Sequence, residues 1–349
     1  MNTDSRPKWP FHLIATATIA ALALAALVAP ARSSAKPDRV DGVRAEIKRG
    51  TLGVKGGDGG QQVALRLQAG DQSRIQVDAG DDGSADFSFL RGDVAAIKVK
   101  MGDGSDSARI DDANGAFTDS IPTTIAGGDG NDSLQGGQVQ VAAENERFNG
   151  GDGDDTVDGG KGNDSAHLGG GNDSFRWDPG EGSDAIEGQD GTDTMLFNGA
   201  GAPAVENVTM TANGGRLTFF RTPGNVTMDT DDVETVDFNA LGGTDNVTVN
   251  DLTGTDVTRT NLDLAGALGG SAGDGAVDNV AVNGTNGDDR IDIQGNGSGA
   301  DVTGLATAVS VKHAEPTDGL SVNTLAGTDN VVATGVAGVL QVQVDGSPV

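Results

Sequence analysis

A nine-residue phrase repeated between Gly127 and Leu196 constrains this chain more than any other feature. It first reads Gly127-Gly128-Asp129-Gly130-Asn131-Asp132-Ser133-Leu134-Gln135. After an irregular insertion it returns at 150–158, 159–167 and 168–176. Two extra residues, Trp177 and Asp178, then precede copies at 179–187 and 188–196. All six copies have Gly in the fourth place and Asp in the sixth. With 56 glycines and 44 aspartates in 349 residues, one window meets both conditions by chance roughly 2% of the time, so contiguous copies are a true period.

Each place in the phrase has a physical reading. Gly in the first, second and fourth places lets the backbone reach φ > 0 and turn sharply. Asp132, Asp155, Asp164, Asp173, Asp184 and Asp193 put one carboxylate into every turn. The eighth place (Leu134, Val157, Ala166, Phe175, Ile186, Met195) supplies one inward apolar residue to a very short strand. Strand, turn, strand, turn makes a coil of two phrases, so turns on one side recur at every second phrase. Asp155 and Asp173 are then one strand spacing apart, about 4.7–4.9 Å. Two carboxylates about 4 Å apart at a surface-like dielectric repel by roughly 4 kcal/mol. No Lys or Arg takes the sixth place to neutralise them. A hard divalent cation with oxygen ligands would, and calcium tolerates irregular geometry better than magnesium. The expected fold class is all-β: a parallel β-roll or elongated right-handed β-solenoid following an amino-terminal signal segment.

The phrase resembles the nonapeptide of the repeats-in-toxin family, the haemolysin-type calcium-binding repeats. The resemblance implies a β-roll with several calcium ions held between successive same-side turns. It also implies that the sixth-place Asp is a ligand, joined by backbone carbonyls and often by the third-place side chain. Carried onto this sequence, the metal residues are Asp129, Asp132, Asp152, Asp155, Asp164, Asp173, Asp184, Asp190 and Asp193. Lys161 departs from the pattern at a third place, and Leu168, Pro179 and Gln189 replace expected glycines. The same-side pairs would be the phrases starting at 150 and 168, at 159 and 179, and at 168 and 188, giving about three sites with a fourth near Gly127. A disordered Gly/Asp linker would share this composition but would not keep a period.

The formal charge of −29 comes from 52 acids against 23 bases. Such acidity argues against a nucleic-acid partner, which needs basic stripes. Aromatic residues are few and Tyr is absent, so a metal-free chain lies close to the disordered regime and metal-dependent order is expected. The chain has no Cys, which rules out disulfides and thiol chemistry.

Residues 1–31 read as a signal peptide. Arg6 and Lys8 precede an unbroken apolar and small-residue run from Leu13 to Ala29, and Ala29-Pro30-Ala31 offers a cleavage site. Cleavage removes one acid and two bases, so the mature charge is −30. An uncleaved anchor is the alternative, since the run is just long enough to span a bilayer. After cleavage no transmembrane span remains. The expected location is secreted, extracellular or on a bacterial cell surface.

The rest divides into a polar lead-in (32–50), degenerate coils (51–125), the calcium repeats (126–198) and divergent solenoid coils (199–349). Short alternating runs such as Val63–Leu67, Ile75–Val77, Phe87–Phe89 and Ile97–Val99 are separated by Gly/Asp turns, the signature of strands. Gly102–Asp106 is a worn copy of the phrase's turn. Gly-Thr-Asp-Asn-Val occurs at 243–247 and again at 327–331, with Gly287-Asp288-Asp289 between them. Asp245, Asp289 and Asp329 take the sixth place there and are further candidates. The Gly/Ala-rich stretch Ala265–Gly275 is expected to be a loop.

No catalytic site is assigned. Gly269-Gly270-Ser271-Ala272-Gly273 fits a hydrolase elbow, which requires a strand before it and a helix after it, and a Gly/Ala loop supplies neither. Arg91-Gly92-Asp93 matches a cell-adhesion tripeptide, a cheap coincidence in a chain this rich in Gly and Asp. The function expected is a structural or adhesive calcium-binding protein, with cell-surface or polysaccharide ligands as candidate partners. The alternative is a calcium-dependent polysaccharide-active enzyme of lyase or epimerase type, or an accessory module of one. A concave face bearing Arg, Lys and acids would favour the enzyme, and uniform Thr/Asn/Ser ladders the structural role.

Overall fold

The structure is a computed structural model that describes residues 39–139 and 145–349. The signal-peptide reading and the apolar run at 13–29 lie outside the described residues. Among the described residues, no helix is long and apolar enough to cross a membrane.

Short strands stack into two long sheets, one of fifteen strands and one of fourteen. Successive phrases alternate between them. Leu134, Val157, Phe175 and Met195 are register partners in the fourteen-stranded sheet. Phe148, Ala166 and Ile186 are partners in the other. The pairing is parallel, as a solenoid requires. Every eighth-place residue is buried, and the inward residues of both sheets form one apolar cluster. With one such residue per phrase the core is thin. It thickens behind the repeats, where Trp177 stacks on Phe197 at 4.0 Å, with Phe219 and Phe238 beside them.

The expected all-β parallel solenoid is the fold observed, and the flanking regions add antiparallel pieces to it. Arg44–Lys48, inside the stretch read as a polar lead-in, is a strand paired antiparallel with Thr51–Lys55. Arg49 (φ 50) and Gly50 (φ 79) make its hairpin turn, a conformation that twists in the same sense as the strands it joins. Within 51–125, Gln62–Gln68, Asp71–Ala79 and Phe87–Leu90 are an antiparallel meander at the edge of the fourteen-stranded sheet, not successive coils. Their alternation is the same in either arrangement, and only the short turns between them tell the two apart. Arg91–Asp93 forms a short 3-10 turn, with Arg91 3.6 Å from Asp119.

Beyond the repeats, parallel coils continue through Asn246–Val249, Asn279–Asn283 and Gly319–Asn323. Two antiparallel excursions interrupt them, at 207–231 and 290–312. Ala265–Gly275 is a loop, pinched by a single bridge between Ala265 and Gly273.

Candidate metal centre

The sixth-place aspartates are buried, and each uses one oxygen to bind backbone. The N–H of Asp132 donates to Asp155 Oδ1 at 2.8 Å, that of Asp155 to Asp173 Oδ1 at 2.7 Å, and that of Asp173 to Asp193 Oδ1 at 2.8 Å. On the opposite side the N–H of Asp164 donates to Asp184 Oδ1 at 2.7 Å. The structure thus brings together the same-side pairs read from the sequence, and it also pairs the phrase at 127 with that at 150. The column runs further than the repeats do. Gln61 N–H donates to Asp106 Oδ1, Asp106 N–H to Asp132 Oδ1, and Asp193 N–H to Glu234 Oε2.

The second oxygen of each carboxylate is the chemically open one. Oδ2 of Asp132, Asp155, Asp164, Asp173, Asp184 and Asp193 is buried without a hydrogen-bond partner. For Asp132, Asp155 and Asp193 it lies against the Gly that opens the phrase, close to a carbonyl oxygen of a neighbouring same-side coil; the phrases of Asp173 and Asp184 open with Leu168 and Pro179 instead. A Cβ at Gly150 would collide with both Asp155 Oδ2 and the Leu168 carbonyl oxygen, and one at Gly127 would meet Asp132 Oδ2 and the Gly150 carbonyl. At these turns two acceptors therefore lie together in the space beside the glycine that a side chain would take. A buried acceptor with no donor costs about 1–3 kcal/mol, more if charged. A hard cation would satisfy both oxygens at once, so the donor set fits the group that the sequence implies.

The electrostatics agree with the geometry. Burial pushes the Asp155 carboxyl up to about 7, with the Asp132 and Asp173 charges adding to it. Burial likewise raises Asp132 to about 6, Asp193 to about 6 and Asp184 to about 7. Asp164 and Glu146 shift upward together, chiefly through burial.

The third-place acids are arranged differently. Asp129 pairs in register with Asp103 on one side and Asp152 on the other, and Gly170 separates Asp152 from Asp190. All four aspartates are exposed along the rim of the turns. Fifth-place side chains link coils beside them: Asn131 accepts from Asp154 N–H, and Asp154 from Asn172 N–H.

Residues 123–138 and 142–175 match the RTX calcium-binding nonapeptide repeat, in four copies. The central coils are RTX calcium-binding nonapeptide repeats. No curated protein and no solved structure gives a match to the chain. The matched stretch stops before the phrases at 179 and 188, yet Asp184 and Asp193 make the same hydrogen bonds as their predecessors. In structure the RTX pattern extends to Leu196.

Sequence reasoning missed Glu146. The insertion at 136–149 is itself a phrase, longer than nine residues, opened by Gly136-Gly137 and closed by Glu146-Arg147-Phe148. Glu146 N–H donates to Asp164 Oδ1 at 2.7 Å, Phe148 fills the core, and both Glu146 carboxylate oxygens are buried without partners. The opening Gly-Gly pair and the acid two places before an aromatic were the available signal.

In the divergent coils the sequence pointed to Asp245 but missed the column that it belongs to. Glu206, Asp245, Asp278 and Asp318 are linked by N–H to carboxylate bonds of 2.8–3.0 Å, and Asp245 Oδ2 is buried without a partner. Asp289 differs: its N–H donates to Asp329 Oδ1, but its own oxygens accept from Thr285 N–H and Oγ1, so the turn satisfies itself. Elsewhere arginines do the neutralising. Arg221 pairs with the fully buried Glu206, Arg66 with the fully buried Asp78, and Arg109 grips Asp81 with two bonds. Asp158, Asp178 and Glu181 also cluster, with Arg176 bonded to Asp158.

Proposed function

We propose that this protein is an exported calcium-binding solenoid with a structural or adhesive role outside the cell, ordered by calcium between its same-side turns. The observation that carries the reading is the run of buried, unpartnered Oδ2 atoms at Asp132, Asp155, Asp164, Asp173, Asp184 and Asp193. These six would hold the ions together with backbone carbonyls, and Asp129, Asp152 and Asp190 would contribute from the rim. Bound calcium supplies positive charge between turns that the chain itself leaves uncompensated. Because ligands and fold form together, binding free energy becomes folding free energy. The signal segment at 1–31 supports export into a calcium-rich medium.

Uniform polar ladders support the structural reading over the enzymatic one. Asn279 donates to Asn246 and Asn246 to Asn207, each at 3.1 Å. Asn323 donates to Asn283 and Asn283 to Asn250, each at 2.8 Å. Repeated, mutually satisfied amides stabilise coil stacking and leave little for chemistry.

Circular dichroism of the mature chain with millimolar calcium, and again with excess chelator, tests the proposal. The β signal should collapse on chelation and return when calcium is restored. A spectrum indifferent to chelator would remove the metal from the account.

A further inference from the structure

Among the described residues of this acidic chain, a lysine-rich face lies outside the repeat coils. Six lysines fall within residues 39–349, and four of them, Lys48, Lys55, Lys98 and Lys100, line a single trough of about 310 Å³ with Arg44 and Glu46. The strand register sets them out as a lattice. Arg44, Lys55 and Lys100 are partners across three neighbouring strands, as are Glu46, Gly53 and Lys98. Neighbours across strands are about 4.8 Å apart, and Lys98 and Lys100 about 6.6 Å apart along one strand.

Glu46 is the only acid in the trough, and it is already bonded to Arg44 at 3.1 Å and Lys48 at 2.6 Å. Lys55, Lys98 and Lys100 are exposed and make no ion pair among the described residues. Like charges held this close on a rigid sheet repel one another, and an external anion relieves that repulsion. Gly53 forms the floor of the trough, so a chain can lie against the sheet between the lysines. The acid columns elsewhere are largely screened at physiological ionic strength, where fields decay over about 8 Å.

We propose that this face binds a linear polyanionic polysaccharide, whose carboxylate or sulfate groups meet Lys55, Lys98 and Lys100 while its backbone lies over Gly53. The lining favours that partner over others. It contains no aromatic residue on which bases could stack, as single-stranded nucleic acid requires. Three strands give a footprint about 10 Å wide, too narrow for the basic stripe a duplex needs. No apolar side chain stands out of the trough to enter a lipid surface. Lysines act as mobile point charges and suit anions strung on a flexible polymer without fixed orientation. The inference names a ligand for the adhesive part of the reading above but does not depend on calcium occupancy.

The test uses the full mature chain in a fixed millimolar calcium concentration. Binding to polygalacturonate and to dextran sulfate is measured against neutral dextran, a DNA duplex and anionic phospholipid vesicles, which separates the sources of negative charge. The K55Q/K98Q/K100Q variant should bind either polysaccharide at least ten-fold more weakly, with an unchanged β signal. Gly53→Phe should do the same by filling the floor; a Cβ there meets nothing closer than 3.9 Å, so the strand accepts it. Unchanged binding by the lysine variant would mean calcium bridging through the acidic turns and would overturn the proposal. Equal binding to neutral dextran, tighter binding to duplex or vesicles, or occupation of the face by a second copy in sedimentation would also overturn it. A chelator-insensitive β signal with lysine-dependent polyanion binding would sink the calcium reading alone.

Discussion

The backbone N–H of Asp132 is held at 2.8 Å by Oδ1 of Asp155, a residue 23 positions later, while Oδ2 of the same carboxylate is buried without a donor. One side chain therefore has two separable duties: joining coils through one oxygen and presenting charge through the other. Substitutions can divide them.

Asp155→Asn retains an oxygen that can accept from Asp132 and replaces the other with an uncharged amide. Calcium titration calorimetry should show at least one fewer ion bound, with the β signal recovered at higher calcium. Asp155→Ala also strands the Asp132 N–H and should cost a further 1–3 kcal/mol or so in chemical denaturation. Equal effects of the two substitutions would mean that the carboxylate only joins coils.

The raised carboxyls make metal-free stability depend on pH in a definite direction. Asp155 and Asp184 lie at about 7 and Asp132 and Asp193 at about 6 in the fold, against about 3.9 when unfolded. Between these limits the folded state binds more protons, so stability falls as pH rises. In chelator, residual β structure should be greatest near pH 4–5 and be lost by about pH 7. With calcium present the trend reverses, because protons compete for the same oxygens and affinity drops below about pH 6–7. Melting temperatures from pH 4 to 8, with and without chelator, check both signs.

Gly151 (φ 126) opens a turn where an added Cβ would strike the carbonyl of Gly128 in the preceding coil. Gly151→Ala should therefore lower the denaturation midpoint even in saturating calcium, by at least about 1 kcal/mol for the forced φ alone. Gly53→Ala, in an open strand position, should leave the midpoint nearly unchanged and serves as the control.

Arg221 is the internal counter-ion of Glu206 and sits 5.4 Å from the centre of the Trp177 ring. Arg221→Met leaves a buried carboxylate unpaired and should cost about 3–5 kcal/mol. The Arg221→Met/Glu206→Gln double variant should regain much of that loss. Urea denaturation in saturating calcium measures both, and additive losses would show that the pair is not coupled.

Much of this fold could be read from residues whose spacing is rigid. The eighth-place residues and sixth-place aspartates fall where a coil of two phrases puts them, because nine-residue units leave the chain no slack. Glu146 escaped because extra residues broke the count, although the Gly-Gly opening and the Phe148 core position survived. Asp278 and Asp318 escaped because Ala276 and Pro316 stand where the phrase has its fourth-place Gly, and only the acid is kept in register. The meander at 62–90 and the excursion at 207–231 could not be told from coils, since alternation reports a half-buried strand and not the direction of its neighbour. Which lysines gather at Gly53 depends on register between strands more than forty residues apart, and that register is invisible before the strands are stacked.

The coil-to-coil bond of the sixth-place column also has a direction. In every pair of the sixth-place column from Gln61 to Glu234, the amide belongs to the earlier residue and the carboxylate to the later one, whereas the fifth-place links run the other way. Each turn is thus completed by chain that has not yet been made when the turn itself is synthesised. A growing polypeptide therefore ends in a turn whose sixth-place amide has yet to find its carboxylate.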